Sequence, residues 1–344
     1  MTPFLETAGG FFRRFAPQLI TLAVVLTLNT ILFPGFLDIG IANGRLYGSL
    51  IDILNRGAPV ALLAIGMTLV IATRGIDLSV GAVMAICGAA AAATVASSGS
   101  AVAAITVALG IGLACGLWNG ILVALLNIQP IIATLILMVA GRGIAQLITE
   151  GTILTFTHEG LIFVGSGSLF GLPMPVVLWL AAVLIAALLV RRTALGLLIE
   201  AVGINRRASS LAGVNAGVLI VAVYMISGLA AAVAGIIAAA DIRGADANNA
   251  GLWLELDAIL AVVIGGTSLL GGRFTLFGTA LGALIIQSIN TGILISGFPP
   301  EFNLVIKASI IIVILLIQSP AIQSLFTVLR RQPERPAKRE LSKP

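Results

Sequence analysis

The chain has 344 residues, of which 59% are hydrophobic and only 10% charged, with a mean hydropathy of +1.14. A soluble domain carries about 25% charged residues, so the composition excludes a soluble globule and places the chain in a bilayer. The net charge of +5 does not indicate a nucleic-acid surface, because the basic residues sit in short loops and tails between apolar runs.

Arg13-Arg14 precede the first apolar run, Leu19 to Leu32. No small-residue cleavage site follows, and Asn29 and Phe33-Pro34 stand where one would fall, so an uncleaved first span is expected. A span needs about 20 mostly apolar residues. Ten runs meet that demand: 17–34, 58–73, 78–97, 101–126, 131–149, 174–190, 217–240, 254–270, 275–296 and 303–319. The expected fold is therefore an all-α integral membrane protein of about ten transmembrane helices, one domain over residues 1–329, followed by a basic tail at 330–344 expected to be cytoplasmic and disordered. Pro59, Pro130, Pro173 and Pro175 fall at span starts, where a missing N–H costs little. The 39 glycines have no collagen period; Gly112, Gly116 and Gly120, and Gly278 with Gly282, read as packing seams between helices. Cys87 and Cys115 lie in apolar runs and offer neither a disulfide framework nor metal spacing. His158, the single histidine, is expected to be a solvated loop residue.

Charge sets the orientation. With the N-terminus inside and ten alternating spans, 14 of the 19 Lys and Arg lie inside, among them Arg74, Arg191, Arg192, Arg206, Arg207 and Arg273. Arg45, Arg56 and Arg243 fall outside, with nine of the 14 acids, Glu255 and Asp257 included. Both termini are then expected on the cytoplasmic side. A faint internal echo links Gly75-Ile-Asp77 with Glu255-Leu-Asp257, and Asn119-Gly-Ile-Leu122 with Asn290-Thr-Gly-Ile-Leu294. The paired segments have opposite expected orientations, the pattern of an inverted repeat.

Catalytic signatures are missing. There is no Walker A pattern, no H-E-x-x-H and no paired cysteines, so the chain reads as a non-enzyme without metal or bound cofactor. Asp77, with Gly75, Ser79 and Gly81 around it, has two readings: the hinge of a broken helix on a transport pathway, or an N-cap at the cytoplasmic surface. Arg142 between two glycines either faces the bundle interior or snorkels outward. Asn119, Gln146, Gln287 and Asn290 are uncharged polar groups inside spans, fit either for helix–helix hydrogen bonds or for lining a hydroxyl-rich solute. Asp77, Ser79, Asn119, Arg142, Gln287 and Asn290 are thus the candidate pathway residues. In the external loop 241–253, Arg243, Asp246, Asn248 and Asn249 offer a periplasmic docking surface or a plain solvated connector, with Trp253 as an interface anchor.

The polar stretch within residues 191–216 is the most informative. Asn205 suits an N-cap and Gly213 a C′ glycine, with a helix of about two turns between them. So short a helix is unstable alone and needs a surface to dock against. Glu200, Gly203, Asn205, Arg206, Arg207, Ala208 and Gly213 are therefore expected to couple the chain to a soluble partner, although an amphipathic connector is the plainer alternative.

The run Leu62–Ala85, LLAIGMTLVIATRGIDLSVGAVMA, resembles the signature of the ribose/xylose/arabinose group of bacterial ABC sugar permeases, and Ala201-Val-Gly-Ile-Asn205 is similar to that group's coupling loop. Within the group, Gly48–Asn55 and Ala240–Asp257 resemble the galactofuranose permeases. Arg74 departs from the pattern, standing where the group often has glycine. The resemblance implies a type II importer permease that passes a monosaccharide, galactofuranose above all. It also implies a cytoplasmic ATPase that uses the ATP, a periplasmic sugar-binding protein, and a second, different permease completing a heterodimer. The rival is a secondary transporter driven by an ion gradient, for which mid-span acids would speak.

Overall fold

The computed structural model describes residues 2–42, 44–297, 299 and 301–318. The chain divides into two units, Met1–Gly297 and Phe298–Pro344. In the first, the helices are α1 (Thr2–Leu32), α2 (Ser49–Ala72), α3 (Val80–Ser98), α4 (Ala101–Ala124), α5 (Pro130–Ile148), α6 (Glu159–Ser166), α7 (Met174–Arg192), α8 (Leu195–Ile204), α9 (Arg206–Leu211), α10 (Ala216–Asp241), α11 (Leu254–Ile264) and α12 (Leu276–Ile295). In the second, the described helix is α13 (Glu301–Gln318). Short antiparallel ladders pair β1 (Gly40–Ala42) with β2 (Arg45–Tyr47), β3 (Leu154–Thr155) with β6 (Gly244–Ala245), and β4 (Ser168–Leu169) with β5 (Leu172–Pro173). The basic tail at 330–344 lies outside the described residues.

Among the described residues, eight helices are long and apolar enough to cross a membrane: α1 from Arg14, α2, α3, α4, α5, α7, α10 and α12. The expected span at 254–270 is not one of them. Its helix, α11, stops at Ile264 after 11 residues, roughly 16 Å at the α-helical rise, about half a hydrocarbon core. Gly265-Gly266 ends it: Gly266 takes a φ of +88°, and the N–H of Thr267 turns back to the carbonyl of Val262. α2 begins earlier than its proline suggested, so Pro59 lies inside the helix. Pro130 does open α5, and Pro173 and Pro175 flank the start of α7.

Glycine contacts fix the helix directions. A methyl group on Gly112, Gly116 or Gly120 would fall 2.4–2.8 Å from the backbone of α10 at Gly228, Tyr224 and Val221, so α4 and α10 run antiparallel with their backbones touching. Met84 and Gly88 meet Gly235, and Gly88 meets Ala239, so α3 runs parallel to α10. Gly278 and Gly282 press on Gly265 and Ala261, which sets α12 antiparallel to α11. Both glycine stripes are packing seams, as their spacing suggested. In lipid, where tails are as apolar as leucine, such close van der Waals contact is the main force between helices. α10 thereby becomes the axis of the bundle, packed on α2, α3 and α4. The end where α2 stops, and where α10 and α12 start, carries Arg14, Arg74, Arg191, Arg192, Arg206, Arg207 and Arg273.

These contacts give a test. Gly116→Leu should destabilise the detergent-solubilised protein by about 1–3 kcal/mol, as overpacking does. Gly110→Leu, on the same helix with open space around it, should leave the thermal melt unchanged.

Candidate functional site

The first feature is the break between α2 and α3. α2 ends at Ala72; Arg74 then adopts a φ of +65°, and the chain turns back into the bundle through Gly75, Ile76 and Asp77. Arg74 stands in a left-handed conformation that glycine adopts without penalty. Its side chain is held by two carbonyls: Nε and an Nη donate to those of Leu270 and Ile204 at 3.0 and 2.8 Å. Asp77 is 2% exposed. One carboxylate oxygen accepts from the Ser79 N–H at 3.1 Å and the Ser79 hydroxyl at 2.6 Å; the other accepts from the Ser227 hydroxyl at 2.9 Å. Asn119 Nδ2 donates to Ser79 Oγ at 2.8 Å. Ser227 lies near the middle of α10, roughly 17 Å from Ala216 at the helical rise. Asp77 therefore lies deep in the bundle at the turn between α2 and α3, not at the surface where the N-cap reading put it. A buried carboxylate away from bulk water is tolerable here because three donors meet it. Thr134 on α5 completes the knot, accepting from the Leu78 N–H and lying within hydrogen-bond reach of the Ile76 carbonyl.

The second feature is the turn between α10 and α11. Gly251 and Gly81 touch through their backbones, each placing the other's absent methyl 2.3 Å from a carbonyl oxygen. The turn thus enters the bundle and meets the start of α3. Glu255 and Asp257, expected outside, are buried in the first turn of α11. Trp253, two residues from that contact in a left-handed conformation with φ +65°, is 49% exposed. The burial of the two acids has one cause: the chain re-enters, so α11 starts inside the bundle and not at its edge. Arg142 on α5 fastens the turn, donating to the carbonyls of Ala247 and Ala250 at 3.0 and 2.5 Å. It faces protein and does not snorkel. Gln146 donates to Asn248 at 2.8 Å. Asp246 folds the turn on itself, accepting from the N–H groups of Asn248 and Asn249 and from the Asn249 side chain at 2.7 Å. The Asn249 side chain, then those N–H groups and the Arg142 charge, hold the Asp246 carboxyl below the ordinary aspartate value. Arg243 lies apart on an exposed surface, its carbonyl accepting from Phe156.

The third feature is at the arginine end. Asn205 caps α9, its Oδ1 accepting from the Ala208 N–H at 2.9 Å, and Gly213 follows with a φ of +90°. Arg206 reaches back to the Ala124 carbonyl at 2.7 Å, while Arg207 and Ala208 are exposed. Gly203 is a packing residue: a Cβ there would lie 1.8 Å from the Ala72 carbonyl. Glu200 is on α8, away from α9, and lines a groove with Arg14 and Arg191.

The structure brings Asp77, Ser79 and Asn119 together but buries all three. Gln287 is buried against Gly57, and Asn290 stands further along α12. Sequence reasoning did not single out Ser227, Tyr224 or Thr134. They lie on other helices, and in an apolar run a lone Ser, Thr or Tyr carries no distinguishing signal. His158 is the N-cap residue of α6 and half-buried, not solvated.

A family model described as branched-chain amino acid transport system / permease component matches residues 49–315. The galactofuranose transporter permease protein YtfT of Escherichia coli strain K12 is 61% identical over 314 residues, covering 91% of this chain and 92% of that one. The fructose import permease protein FruF of Bifidobacterium longum strain NCC 2705 is 45% identical over 293 residues, covering 84% and 82%. The ribose import permease protein RbsC of E. coli K12 is 38% identical over 306 residues, covering 88% and 92%. No solved structure matches the chain.

Asp77→Ala should cost about 2–4 kcal/mol of stability, since two hydroxyls and an N–H lose a charged acceptor at once. Ser227→Ala should cost less, and the double variant less than the sum, all read from thermal unfolding in detergent. Asp246 has a depressed folded pKa, so the loop order it provides is fully present above the ordinary aspartate value of about 3.9 and is lost as pH falls through the lower folded value. Asn249→Ala should raise the pH at which pepsin first cuts the loop 242–253.

Proposed function

The chain belongs to the family of permease components described as branched-chain amino acid transport systems, and on that premise we propose that it passes galactofuranose through a pore shared with a second, different permease. It is the permease of an ABC sugar importer, a multi-pass protein of the bacterial inner membrane that performs no catalysis itself. Such a permease implies an ATPase and a binding protein as partners, and no cofactor of its own. The family replaces the ion-driven alternative. The choice of galactofuranose follows the relative at 61% identity.

The finer architecture proposed is a permease with inverted halves, in which the half-length α11 and the apolar α13 join the eight long helices. Two helices that start inside the bundle support it: α3 runs away from the arginine end, while α11 runs toward it. Their starts meet at Gly81 and Gly251. Discontinuous helices meeting near the bilayer midplane are the usual site of a transport pathway. Gln146, Asn248 and Trp253 are exposed beside this junction, with Arg142 behind them. A neutral sugar needs hydroxyl partners and a weak, transient site, which amide groups supply better than fixed charge. Asp77, Ser79 and Asn119 hold the hinge of this pathway, and Gln287 and Asn290 on α12 are further polar candidates for its lining. Arg243 and the turn Asp246–Asn249 form the face offered to the binding protein.

The arginine end is placed in the cytoplasm by the positive-inside rule, with both termini on that side. The single observation that carries coupling is α9, a six-residue helix whose Leu211 is 84% exposed. A capped single turn that presents a bare leucine is built to fit a partner's groove. Closure of the ATPases on ATP pulls this helix; Asn215, capping α10 through the Val218 N–H, passes the motion to the bundle axis and on to both broken segments.

The test is purification of the tagged chain from its native membrane, with identification of what accompanies it, followed by ATPase and sugar-uptake assays in proteoliposomes. An ATPase and a second permease should co-purify, and uptake of labelled galactofuranose should exceed that of the pyranose. A homodimeric pore, or uptake indifferent to ring form, would overturn the corresponding part. Arg207→Glu with Leu211→Asp should lower uptake roughly tenfold or more, as loss of an interface anchor does, and unchanged uptake would remove α9 from the coupling.

A further inference from the structure

At the arginine end a groove of about 660 Å³ runs between α1, α7, α8 and the start of α12. Its walls are apolar. Phe15 and Phe277 meet edge to face with ring centroids 5.0 Å apart, and Val183 and Ala187 of α7 form the facing side. Its rim is basic. Arg14 opens the span of α1, with its guanidinium 5.5 Å from the centre of the Phe15 ring, and Arg191 is in the last turn of α7. Both arginines are exposed, and among the described residues neither has a hydrogen-bond or ion-pair partner. Glu200, the one acid in the lining, is paired with neither, so the groove keeps an excess positive charge. The first turn of α12 reaches the same lining at Thr275, Leu276 and Phe277, and the N-terminus of a helix adds partial positive charge.

We propose that this groove holds one anionic phospholipid of the adjoining leaflet, its phosphate between Arg14 and Arg191 and an acyl chain along Phe277 and Ala187. Charge complementarity and the depth of the groove together select this occupant. Two unpaired guanidinium groups at the level of the headgroups suit a single phosphate, and bidentate recognition is what arginine does best. A free phosphate would have no use for the apolar walls. These walls continue into exposed aliphatic surface at Ile20 and Val24 of α1 and Leu184 and Leu188 of α7, the path an acyl chain takes. Basic pockets between membrane helices at a charged leaflet are the recognised form of such lipid sites. The lipid would tie α1 and α7 to α8, the helix that leads into α9, independently of which sugar is carried.

The test is native mass spectrometry of the full chain, in its complex where one forms, released from vesicles of 30% phosphatidylglycerol and 70% phosphatidylcholine. The wild type should retain one more phosphatidylglycerol than Arg14→Gln/Arg191→Gln, with roughly tenfold weaker retention in the variant, the scale expected from losing two charge contacts to one phosphate. Ala187→Trp, which fills the groove and keeps both arginines, should lose the same lipid, so that a folding defect in one variant does not decide the matter. Equal phosphatidylglycerol in all three proteins would overturn the proposal. So would competition by inorganic phosphate at millimolar concentration, which would mark a headgroup-free anion site. Loss of the ATPase from the double variant with its lipid count unchanged would likewise overturn it and assign the groove to that protein.

Discussion

Two stretches of non-helical backbone lie within the length of the bundle, and in a bilayer every polar group on them needs a partner inside the protein. The rest of the architecture answers that demand. Asp77 gathers Ser79 and Ser227, Asn119 and Thr134 close over the same break, and Arg142 serves the carbonyls of the facing turn. The partners come from α4, α5, α10 and the start of α3, so satisfying the broken backbone also fixes how these helices sit against one another. A hydrophobic core alone would not choose that arrangement, since lipid tails compete equally for apolar faces.

Close approach is the second condition. The polar groups reach across only because glycine stripes on α4 and α10 let the backbones touch, and because Gly81 and Gly251 allow the turn to meet the half-helix. The Asp77 knot and the glycine seams act on the same helix, α10. α10 is also the helix that follows the exposed α9 after four residues. One centrally clamped helix is thus joined at one end to the exposed α9 and bears on two broken segments further along.

Much of this was legible in sequence. The capped helix at Asn205–Gly213, the glycine seams and the membrane class followed from local rules: a side-chain acceptor two or three residues ahead of free N–H groups, a repeat of four residues on one helix face, and apolar length. The resemblance to sugar permeases was carried by Leu62–Ala85, and the relatives agree with it. Arg74, the departure from the group's pattern, is in the fold a left-handed residue whose side chain ties α2 to α8 and to the loop at Leu270.

The misreadings share a source. Hydropathy counts residues along the chain and has no depth coordinate, so Glu255 and Asp257 were placed outside and residues 254–270 were read as a full span. Sequence alone determined the environment, the number of long apolar helices to within the half-helices, and the cap at α9, because these depend on composition and on neighbours within a few residues. Only the tertiary structure decided that Asp77 is buried in the bundle and not at its surface, and that Arg142 holds a turn more than 100 residues away. Those assignments depend on which groups meet across the bundle, and in a medium without water a polar group's role is set by the partner it finds.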